Sequence, residues 1–400
     1  AAFGNPDRYY ERFREFVNYD DDGNFTVDND RLQYRFDSFA ALEQLFGKHR
    51  DADQFIEDRH QDIAAALQKV TSEAMLCFAK YLHKETNLPN LCQAGGVALN
   101  CVTNRFIFEE GPFENAFVQP AANDAGTALG ACHYIWNDLL NKPRKRAMWD
   151  VFLGPEFSEE AIVSELEDSG ISVRKVENIE RRVADLIASG EVVAWFQGRM
   201  EFGPRALGNR SILADPRRTD MVHHINDKIK HREYFRPFAA SVLSDRAGEW
   251  FDFSKRSASD SFMLYARKKR KDKLGQIPAV THIDRSCRIQ TVEKHTNPRF
   301  YCLIQEFEEI TGVPLVLNTS FNDREPIICS PEDAINTCVK ADIRFLAIGN
   351  YLVDFDEAHV QAGSKEANVH TDLSVPAGDR NSSTALITLR QPVALAFRSR

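Results

Sequence analysis

The stretch that decides the fold is VVAWFQGRMEFGPRALGNRS, residues 192–211. Its first five residues, 192–196, are all apolar and rich in valine and aromatic side chains, which is typical of a strand buried on both faces. Three glycines, a proline and three arginines follow in the next fifteen residues, so the strand leads directly into a tight and strongly basic loop. A buried strand that ends in such a loop predicts an α/β protein.

Strand, loop and helix alternate on both sides of this stretch. Before it, two short apolar runs each enter a polar loop that opens a helix, and the longer segment 61–86 has apolar residues at helical spacing. The predicted helices are 61–86, 97–105, 127–134, 158–169 and 179–189, and the predicted strands are 91–94, 116–119, 192–196, 313–317, 345–348 and 351–355. This alternation extends the α/β prediction to most of the chain.

The composition excludes several classes of protein. With 43% hydrophobic and 10% aromatic residues in a chain of 400, the protein can build real cores and is not disordered as a whole, and its length predicts two or three domains. A net charge of −9 argues against a general nucleic-acid binder. Residues 199–236 nevertheless hold nine Lys or Arg against five Asp or Glu, so basic charge is concentrated in one segment.

Cysteine spacing and hydropathy predict the compartment. The eight cysteines form no CxxC pair, and we expect them to be buried reduced thiols, as in a cytoplasmic protein. No apolar run approaches the length of about 18 residues that a membrane-spanning helix needs, and no secretory signal is recognisable. The sequence therefore predicts a cytoplasmic protein without a membrane partner.

The basic segment is the sharpest candidate for a site. Its glycines and Pro204 fix a loop whose arginine side chains could hold phosphate or carboxylate in a bidentate manner. The alternative is a solvated charged face, and nucleic acid is the weaker choice of anion because the rest of the chain is acidic. The candidate anion ligands are Arg199, Arg205, Arg210, Lys228, Lys230, Arg232 and Arg236.

Further loops carry ligand-type residues, each with a structural alternative. The Gly95–Asn100 loop suits the approach of a nucleotide to the backbone, or is a plain tight turn. Asp124 suits a metal or the phosphate side of a site, or is a helix N-cap. Asn318 and Ser320 follow a predicted strand and suit a nucleotide, or form an Asx or Ser turn. Residues 284–291 add an arginine and a glutamine to the supply of anion ligands.

Taken together, these motifs resemble the O-carbamoyltransferase family, typified by nodulation protein U and by the cephalosporin and tobramycin carbamoyltransferases. The matching strings are 95–100, 120–132, 197–211, 226–238, 285–292 and 313–322. The resemblance implies an α/β fold of two domains. The carboxyl-terminal portion of an actin-like ATPase (Kae1-like) domain, incomplete in this chain, would occupy 1–140. A YrdC-like domain would occupy 158–358, 141–157 would link the two, and 359–400 would form a partly disordered tail.

The resemblance also implies a reaction. In such enzymes the YrdC-like domain converts carbamoyl phosphate and ATP into carbamoyl-adenylate, and the actin-like domain transfers the carbamoyl group to a hydroxyl of a small molecule. We expect a sugar acceptor of the nodulation-factor or antibiotic type. The seven cations would be catalytic, Asp124 would bind a divalent metal (Fe²⁺ or similar), and Mg²⁺ would accompany ATP. The expected nucleotide ligands are Gly95, Gly96, Asn100, Asn123, Gly126, Asn318 and Ser320.

Two features of the family are missing from this sequence. It has no HxxxH pair to complete a metal site with Asp124, and no early DxGxT-type phosphate strand. We therefore expect that the chain lacks the amino-terminal part of the first domain. Two alternatives remain open: an actin-like kinase, which gives no reason for the basic run, and a non-catalytic relative that keeps only the fold.

Overall fold

Helices and strands alternate along most of the chain. The computed structural model describes residues 1–32, 39–51, 54–144, 148–172, 174–253 and 258–357. The described helices are α1 (Tyr10–Arg14), α2 (Asn29–Leu32), α3 (Ala40–Phe46), α4 (Asp58–Thr86), α5 (Cys101–Glu110), α6 (Thr127–Tyr134), α7 (Glu159–Asp168), α8 (Ile179–Ala188), α9 (Asp220–His224), α10 (Ala247–Trp250), α11 (Pro298–Thr311) and α12 (Pro331–Lys340). The described strands are β1 (Val17–Tyr19), β2 (Phe25–Val27), β3 (Asn90–Gln93), β4 (Asn115–Val118), β5 (Val193–Phe196), β6 (Arg210–Ala214), β7 (Ala239–Leu243), β8 (Ala266–Lys268), β9 (Ser286–Val292), β10 (Leu315–Ser320), β11 (Phe345–Ile348) and β12 (Tyr351–Asp354).

The largest sheet has eight strands in the order β12-β11-β5-β6-β10-β7-β9-β8. Its pairs are antiparallel except β5 with β11 and β7 with β9, which are parallel. All four side chains of β5 are buried, as its apolar run predicts. In β9, Cys287 and Ile289 belong to the larger hydrophobic core. Because side chains alternate along a strand, Arg288 and Gln290 share the opposite face of the sheet.

Four helices of the carboxyl-terminal half pack against this sheet. Residues of α8, α11 and α12 join strands β5, β10 and β11 in the larger core. Each of these helices, and α7, starts at a polar residue whose side chain accepts a backbone N–H of the first turn, which stabilises the helix start. These N-caps are Ser158, Asn178, Asn297 and Ser330.

The amino-terminal half is built around the long helix α4, which packs against α1 and α5. Strands β3 and β4 form a separate parallel pair. Helix α5 also contacts β8 and the residues just before it: the rings of Phe108 and Tyr265 are 5.8 Å apart, and Nδ2 of Asn104 donates to the backbone oxygen of Leu264 at 3.0 Å. Because β8 is the neighbour of β9, α5 lies at the sheet edge that carries Arg288.

The structure confirms the mixed α/β fold and corrects one strand. We predicted a strand at 313–317 that ends before Asn318, but β10 runs from Leu315 to Ser320. Its polar residues continue the ladder because Asn318 and Thr319 pair with Leu213 and Ile212 of β6. Apolar patterning cannot show such a continuation, since the partner strand lies about a hundred residues away in the sequence.

The cysteines differ from the expectation that they are buried. All eight cysteines are free, but only Cys287 and Cys338 are buried, whereas Cys92 and Cys132 are exposed. Within the described ranges, no helix is both long and apolar enough to span a membrane. The predicted tail, 359–400, lies outside the described residues.

Candidate functional site

Four cations from three separate segments form a chain of mutual electrostatic interactions. Arg205 belongs to the loop between β5 and β6, Lys230 and Arg232 follow α9, and Arg288 lies in β9. Each interacts electrostatically with the next in the order Lys230, Arg232, Arg288, Arg205. We call these four residues the cation row. Like charges held this close repel one another, so the arrangement favours the binding of an anion.

Lys230 forms one end of the row and is only 3% exposed. Its Nζ donates to the backbone oxygens of Ser320 and Asn322 and, at 2.8 Å, to Oδ1 of Asn322. All three acceptors are uncharged. Burial, followed by the charge of Arg232, lowers the pKa of Lys230 to about 7. The ammonium group therefore titrates near neutral pH, where a nearby anion would favour its charged form.

The guanidinium groups of the row have too few acceptors. The Nε atoms of Arg205 and Arg288 are buried, and neither has a hydrogen-bond partner among the described residues. The charge of Arg288, followed by burial, lowers the pKa of Arg205. Arg232 donates from Nε to Oδ1 of Asn226 at 2.8 Å, and burial followed by the charges of Arg236 and Arg288 lowers its pKa to about 10. A phosphate or carboxylate would relieve the repulsion and accept the unmet hydrogen bonds.

A buried carboxylate shapes the loop that presents Arg205. Glu201 is 4% exposed, and its Oε1 accepts three backbone N–H groups, from Leu207 at 2.7 Å, Asn209 at 2.7 Å and Arg210 at 3.2 Å. In the same loop Gly208 has φ of 103°, and a Cβ there would lie 2.2 Å from the ring of Phe300. Only glycine fits at this position. The loop is therefore held both by the hydrogen bonds to Glu201 and by the close contact between Gly208 and Phe300.

The side chain of Asn318 also contacts this loop. Its side chain is fully buried inside β10, and its Nδ2 donates to Oγ of Ser241 at 2.9 Å and to the backbone oxygen of Ala206 at 3.3 Å. Ser320 donates from Oγ to Oδ1 of Asn322 at 2.7 Å. Our prediction that Asn318 and Ser320 lie beyond the end of the strand is wrong, because β10 includes both.

Two of the predicted anion ligands donate hydrogen bonds to backbone carbonyls instead. Arg199 donates to the oxygens of Leu153 and Gly154 at 3.0 and 3.1 Å. Arg210 is fully buried, its Nη1 donates to the backbone oxygen of Gln197 at 2.8 Å, and its Cζ lies 3.6 Å from the centroid of the Phe196 ring. The structure thus gives Arg210 a place in the core, where burial lowers its pKa to about 10, rather than a place in the row.

Two others lie on the surface. Lys228 is exposed and pairs with Asp227 at 3.2 Å. Arg236 is exposed and pairs with Glu233 at 2.7 Å, although its charge still reaches Arg232. Exposed ion pairs of this kind are well solvated and bind anions weakly. Of the seven predicted cations, the structure therefore brings together Arg205, Lys230 and Arg232.

The second predicted region lies where β3 and β4 end. We call residues 93–96 and 119–126 the glycine-loop edge. The N–H of Gly95 donates to the oxygen of Ala122 at 2.7 Å, which joins the two loops. Gly95 and Gly96 are exposed, and no described atom lies within 4 Å of a Cβ built on either of them. Both amide atoms of Gln93 and Oδ1 of Asn123 are buried and lack a hydrogen-bond partner in the described part of the chain.

Other predicted residues of this region have structural roles. Asn100 is the N-cap of α5, accepting the N–H of Thr103 at 3.1 Å, and its Nδ2 donates to Oε1 of Gln68 at 3.0 Å. The structure therefore uses Asn100 as a helix cap, a role that the sequence did not predict for it. Gly126 packs so closely that a Cβ there would lie 2.1 Å from the oxygen of Ala121, so its small size matters locally.

Among the described residues, Asp124 has no partners that would complete a metal site with it. This residue is exposed at the surface, and the described residues contain no group of three or more His, Cys, Asp or Glu side chains that could hold a metal ion. One exposed carboxylate is not enough to hold a divalent cation. We derive no step through a metal at this position.

Sequence reasoning missed two residues that carry the site. Glu201 gave no signal, because its three partners are backbone groups of its own loop. Arg288 was expected only as part of the run 284–291, and its approach to Arg205 depends on the pairing of β9 within the sheet. The signal available was its alternation with Gln290, which places both polar side chains on one face of the strand.

The chain is similar to known proteins over most of its length. The family model for the carbamoyltransferase N-terminus matches residues 1–133, and the model for the carbamoyltransferase C-terminus matches residues 184–354. Nodulation protein NolO of Bradyrhizobium diazoefficiens is 37% identical over 401 residues, which cover 97% of this chain and 72% of that protein. The uncharacterized protein sll1178 of Synechocystis sp. is 42% identical over 338 residues, which cover 77% of this chain and 55% of that protein.

Other similarities cover less of the partner protein. Nodulation protein U of Bradyrhizobium diazoefficiens is 36% identical over 71% of this chain but over only 48% of its own length. Several of these relatives are thus about twice as long as the part that matches. Among solved structures, full-length HypF in its phosphate- and nucleotide-bound form has a TM-score of 0.33 and 17% identity, covering 49% of this chain and 26% of that one.

Proposed function

Because this chain belongs to the carbamoyltransferase family, we propose that it is an O-carbamoyltransferase whose cation row binds carbamoyl phosphate and ATP. The acceptor in this proposal is a hydroxyl of a small molecule, with a sugar as the first choice. We also propose that residues 1–140 are part of a Kae1-like domain and that 158–358 form a YrdC-like domain.

The proposed reaction balances in two steps. Carbamoyl phosphate, ATP and water yield carbamoyl-adenylate, phosphate and pyrophosphate: water releases carbamate and phosphate, and a carbamate oxygen then attacks the α-phosphorus while the bond to pyrophosphate breaks. The acceptor's hydroxyl oxygen next attacks the carbamoyl carbon, AMP leaves with the bridging oxygen, and the hydroxyl proton passes to solvent or to a base. The first step brings together two reagents that each carry several negative charges.

The observation that carries the proposal is the charge and the unmet hydrogen bonds of the cation row. The buried Nε donors of Arg205 and Arg288 have no acceptor in the described residues, and the two side chains repel each other. Fixed, partly desolvated cations stabilise negative charge that develops on phosphate oxygens. They also hold two anions together that would repel each other in water. Gly95, Gly96, Asn123 and Gly126 remain proposed nucleotide contacts at the glycine-loop edge.

Pyrophosphate release from ATP plus carbamoyl phosphate tests this function. We expect the unmodified chain to release pyrophosphate only when both reagents are present, and Arg205→Ala to reduce the rate about 100-fold or more, as removal of a fixed charge-stabilising donor does. The control is Arg218→Ala, since Arg218 is exposed and pairs with Asp220 at 2.6 Å; we expect it to keep the full rate.

The outcome separates the proposal from its alternatives. Equal rates for Arg205→Ala and the control would remove the role of the row. A kinase would produce ADP and no pyrophosphate, and it would not need carbamoyl phosphate. A non-catalytic relative would turn over neither reagent and would show no thermal stabilisation by them.

A further inference from the structure

One helix of the amino-terminal half buries none of its side chains in the described structure. Helix α6 runs without a break into a π-helical turn, Ile135–Leu139, and no residue of either element is buried. By contrast, the ten-residue helices α5 and α8 bury four and five residues. Every turn of α6 and of the turn that follows it is therefore reached by solvent. We call residues 127–140 the open helix.

The composition of the open helix does not suit this exposure. Its sequence is TALGACHYIWNDLL, in which Asp138 is the only Asp, Glu, Lys or Arg. Helices that are apolar all round are normally covered by other structure, and a helix this short gains little stability in water by itself. Large exposed apolar surfaces mark interaction sites. Five large apolar side chains of the open helix are between 41% and 60% exposed: Tyr134, Ile135, Trp136, Leu139 and Leu140.

The exposed surface is large enough for a specific interface. With about 200 Å² for a large side chain, five that are about half exposed offer roughly 500 Å² on one copy. Two such surfaces pressed together bury roughly 1,000 Å², the area at which a specific interface begins. Near the middle of the helix, no described atom lies within 4 Å of a Cβ built on Gly130. A second backbone therefore has room to approach there.

We propose that the open helix docks a second copy of this chain, with the two helices antiparallel about a twofold axis near their midpoints. A twofold interface uses the same patch on both copies, so the patch must be compatible with itself. Across the whole chain 27% of residues are charged, against one residue in fourteen here. Two open helices therefore meet with almost no repulsion between like charges.

Cross-linking of the unmodified chain tests this pairing without any substitution. Cys132 is exposed and lies within one residue of the midpoint of 127–139. It shares one face of the helix with Ile135 and Leu139, which follow at spacings of three and four residues. We expect a short bismaleimide to join Cys132 to Cys132 of a second copy, as identified by peptide mass spectrometry. Cys92 is also exposed but lies in β3, and we expect no product that joins two Cys92 side chains.

The mass in solution gives a second measurement. By sedimentation equilibrium we expect twice the 45.5 kDa of the chain. Leu139→Glu removes an apolar contact and brings two carboxylates into the interface, so we expect it to weaken the dimer about tenfold or more. Leu139 is 60% exposed, so the variant should keep the fold, which circular dichroism checks. The matched control is Leu82→Glu, because Leu82 lies in helix α4 and is 46% exposed; we expect it to dimerise as the unmodified chain does.

Three results would overturn the proposal. The first is a mass of 45.5 kDa at all concentrations up to about 100 μM, where even a weak dimer forms. The open helix would then be left to a different polypeptide, such as the part of the longer relatives that has no counterpart in this chain. The second is equal cross-linking of Cys92 and Cys132, and the third is equal dimerisation of Leu139→Glu and Leu82→Glu. None of these measurements involves pyrophosphate release, so the dimer and the proposed function can fail separately.

Discussion

The cation row and the glycine-loop edge are both regions where the sequence predicts ligand-binding loops after strands, yet their physical states differ. In the row, Lys230 is almost fully buried and the buried Nε donors of Arg205 and Arg288 lack partners among the described residues. At the edge, Gly95, Gly96 and Asp124 are exposed to solvent. Solvent satisfies exposed groups at little cost, whereas buried charges need a partner.

This difference shows which feature identifies a site. Glycine and aspartate after a strand are equally typical of a turn or a helix cap, and Asn100 is in fact a cap. Cations that repel one another away from water have no comparable structural use. In the described residues of the glycine-loop edge, the only buried side-chain atoms without a hydrogen-bond partner belong to the amide of Gln93 and to Oδ1 of Asn123.

The largest expected effect is on the free energy of unfolding, and it compares how strongly the loop of each region is stabilised. Glu201→Ala leaves three buried backbone N–H groups without an acceptor and removes the charge near Arg210, so we expect the free energy of unfolding to fall by about 3–5 kcal/mol. At the edge, the matched change Asn100→Ala removes one helix cap and should lower it by about 1 kcal/mol. Urea unfolding monitored by circular dichroism measures both.

A conservative variant sharpens this test. Glu201→Gln keeps an acceptor oxygen in place, so its loss of stability should lie between those of Glu201→Ala and Asn100→Ala. If Glu201→Ala costs no more than Asn100→Ala, the loop that presents Arg205 is not held by this carboxylate, and the contrast in rigidity between the two regions disappears.

Local patterns predicted the elements of both regions but not their contacts. The apolar run 192–196 and the helical spacing over 61–86 were sufficient to find β5 and α4. Arg205 and Arg210 are five residues apart in one basic stretch of sequence, and their sequence context does not distinguish them. Only the fold shows that Arg210 points into backbone carbonyls while Arg205 meets Arg288.

Long-range pairing explains what sequence reasoning could not predict. Asn318 continues a strand because β6 and β7 provide its partners, and its Nδ2 donates to Oγ of Ser241. Arg288 reaches the row because β9 lies beside β7. Each contact joins segments at least forty residues apart in the sequence, and apolar periodicity carries no information on such pairs.

The second prediction, intermediate in size, is a proton taken up when the row binds an anion. The pKa of Lys230 is lowered to about 7, so at pH 8 most molecules hold it neutral. A bound dianion favours the ammonium form, so binding should draw in up to one proton. Each unit by which the anion raises the pKa of Lys230 corresponds to ~1.4 kcal/mol of favourable interaction between the anion and the charged side chain. An anion held by backbone N–H groups at the glycine-loop edge would take up none.

Sulfate is the suitable probe because it does not titrate near pH 8. Calorimetry in two buffers of different ionisation enthalpy gives the number of protons, and we expect Lys230→Met to abolish the uptake. Lys230 also makes stability depend on pH. Between pH 7 and about 10.4, the ordinary pKa of lysine, the unfolded chain holds a proton on this side chain that the folded chain has lost. The contribution of Lys230 to the free energy of unfolding therefore rises with pH over this range. Sulfate binding without proton uptake at pH 8 would contradict the placement of the anion beside Lys230.

The smallest expected effect belongs to Asp124. Because it is exposed and the described residues offer no group that could hold a metal with it, Asp124→Ala should change the free energy of unfolding by no more than about 0.5 kcal/mol. It should also leave sulfate affinity and pyrophosphate release as they are in Asp138→Ala, an exposed acidic control beyond α6. A clear loss of pyrophosphate release in Asp124→Ala alone would mean that this exposed carboxylate, and not only the proposed glycine and asparagine contacts of the edge, acts on the reagents that the row binds. The two regions would then be halves of one site, since an exposed carboxylate can affect adenylate formation only by contacting what the row binds.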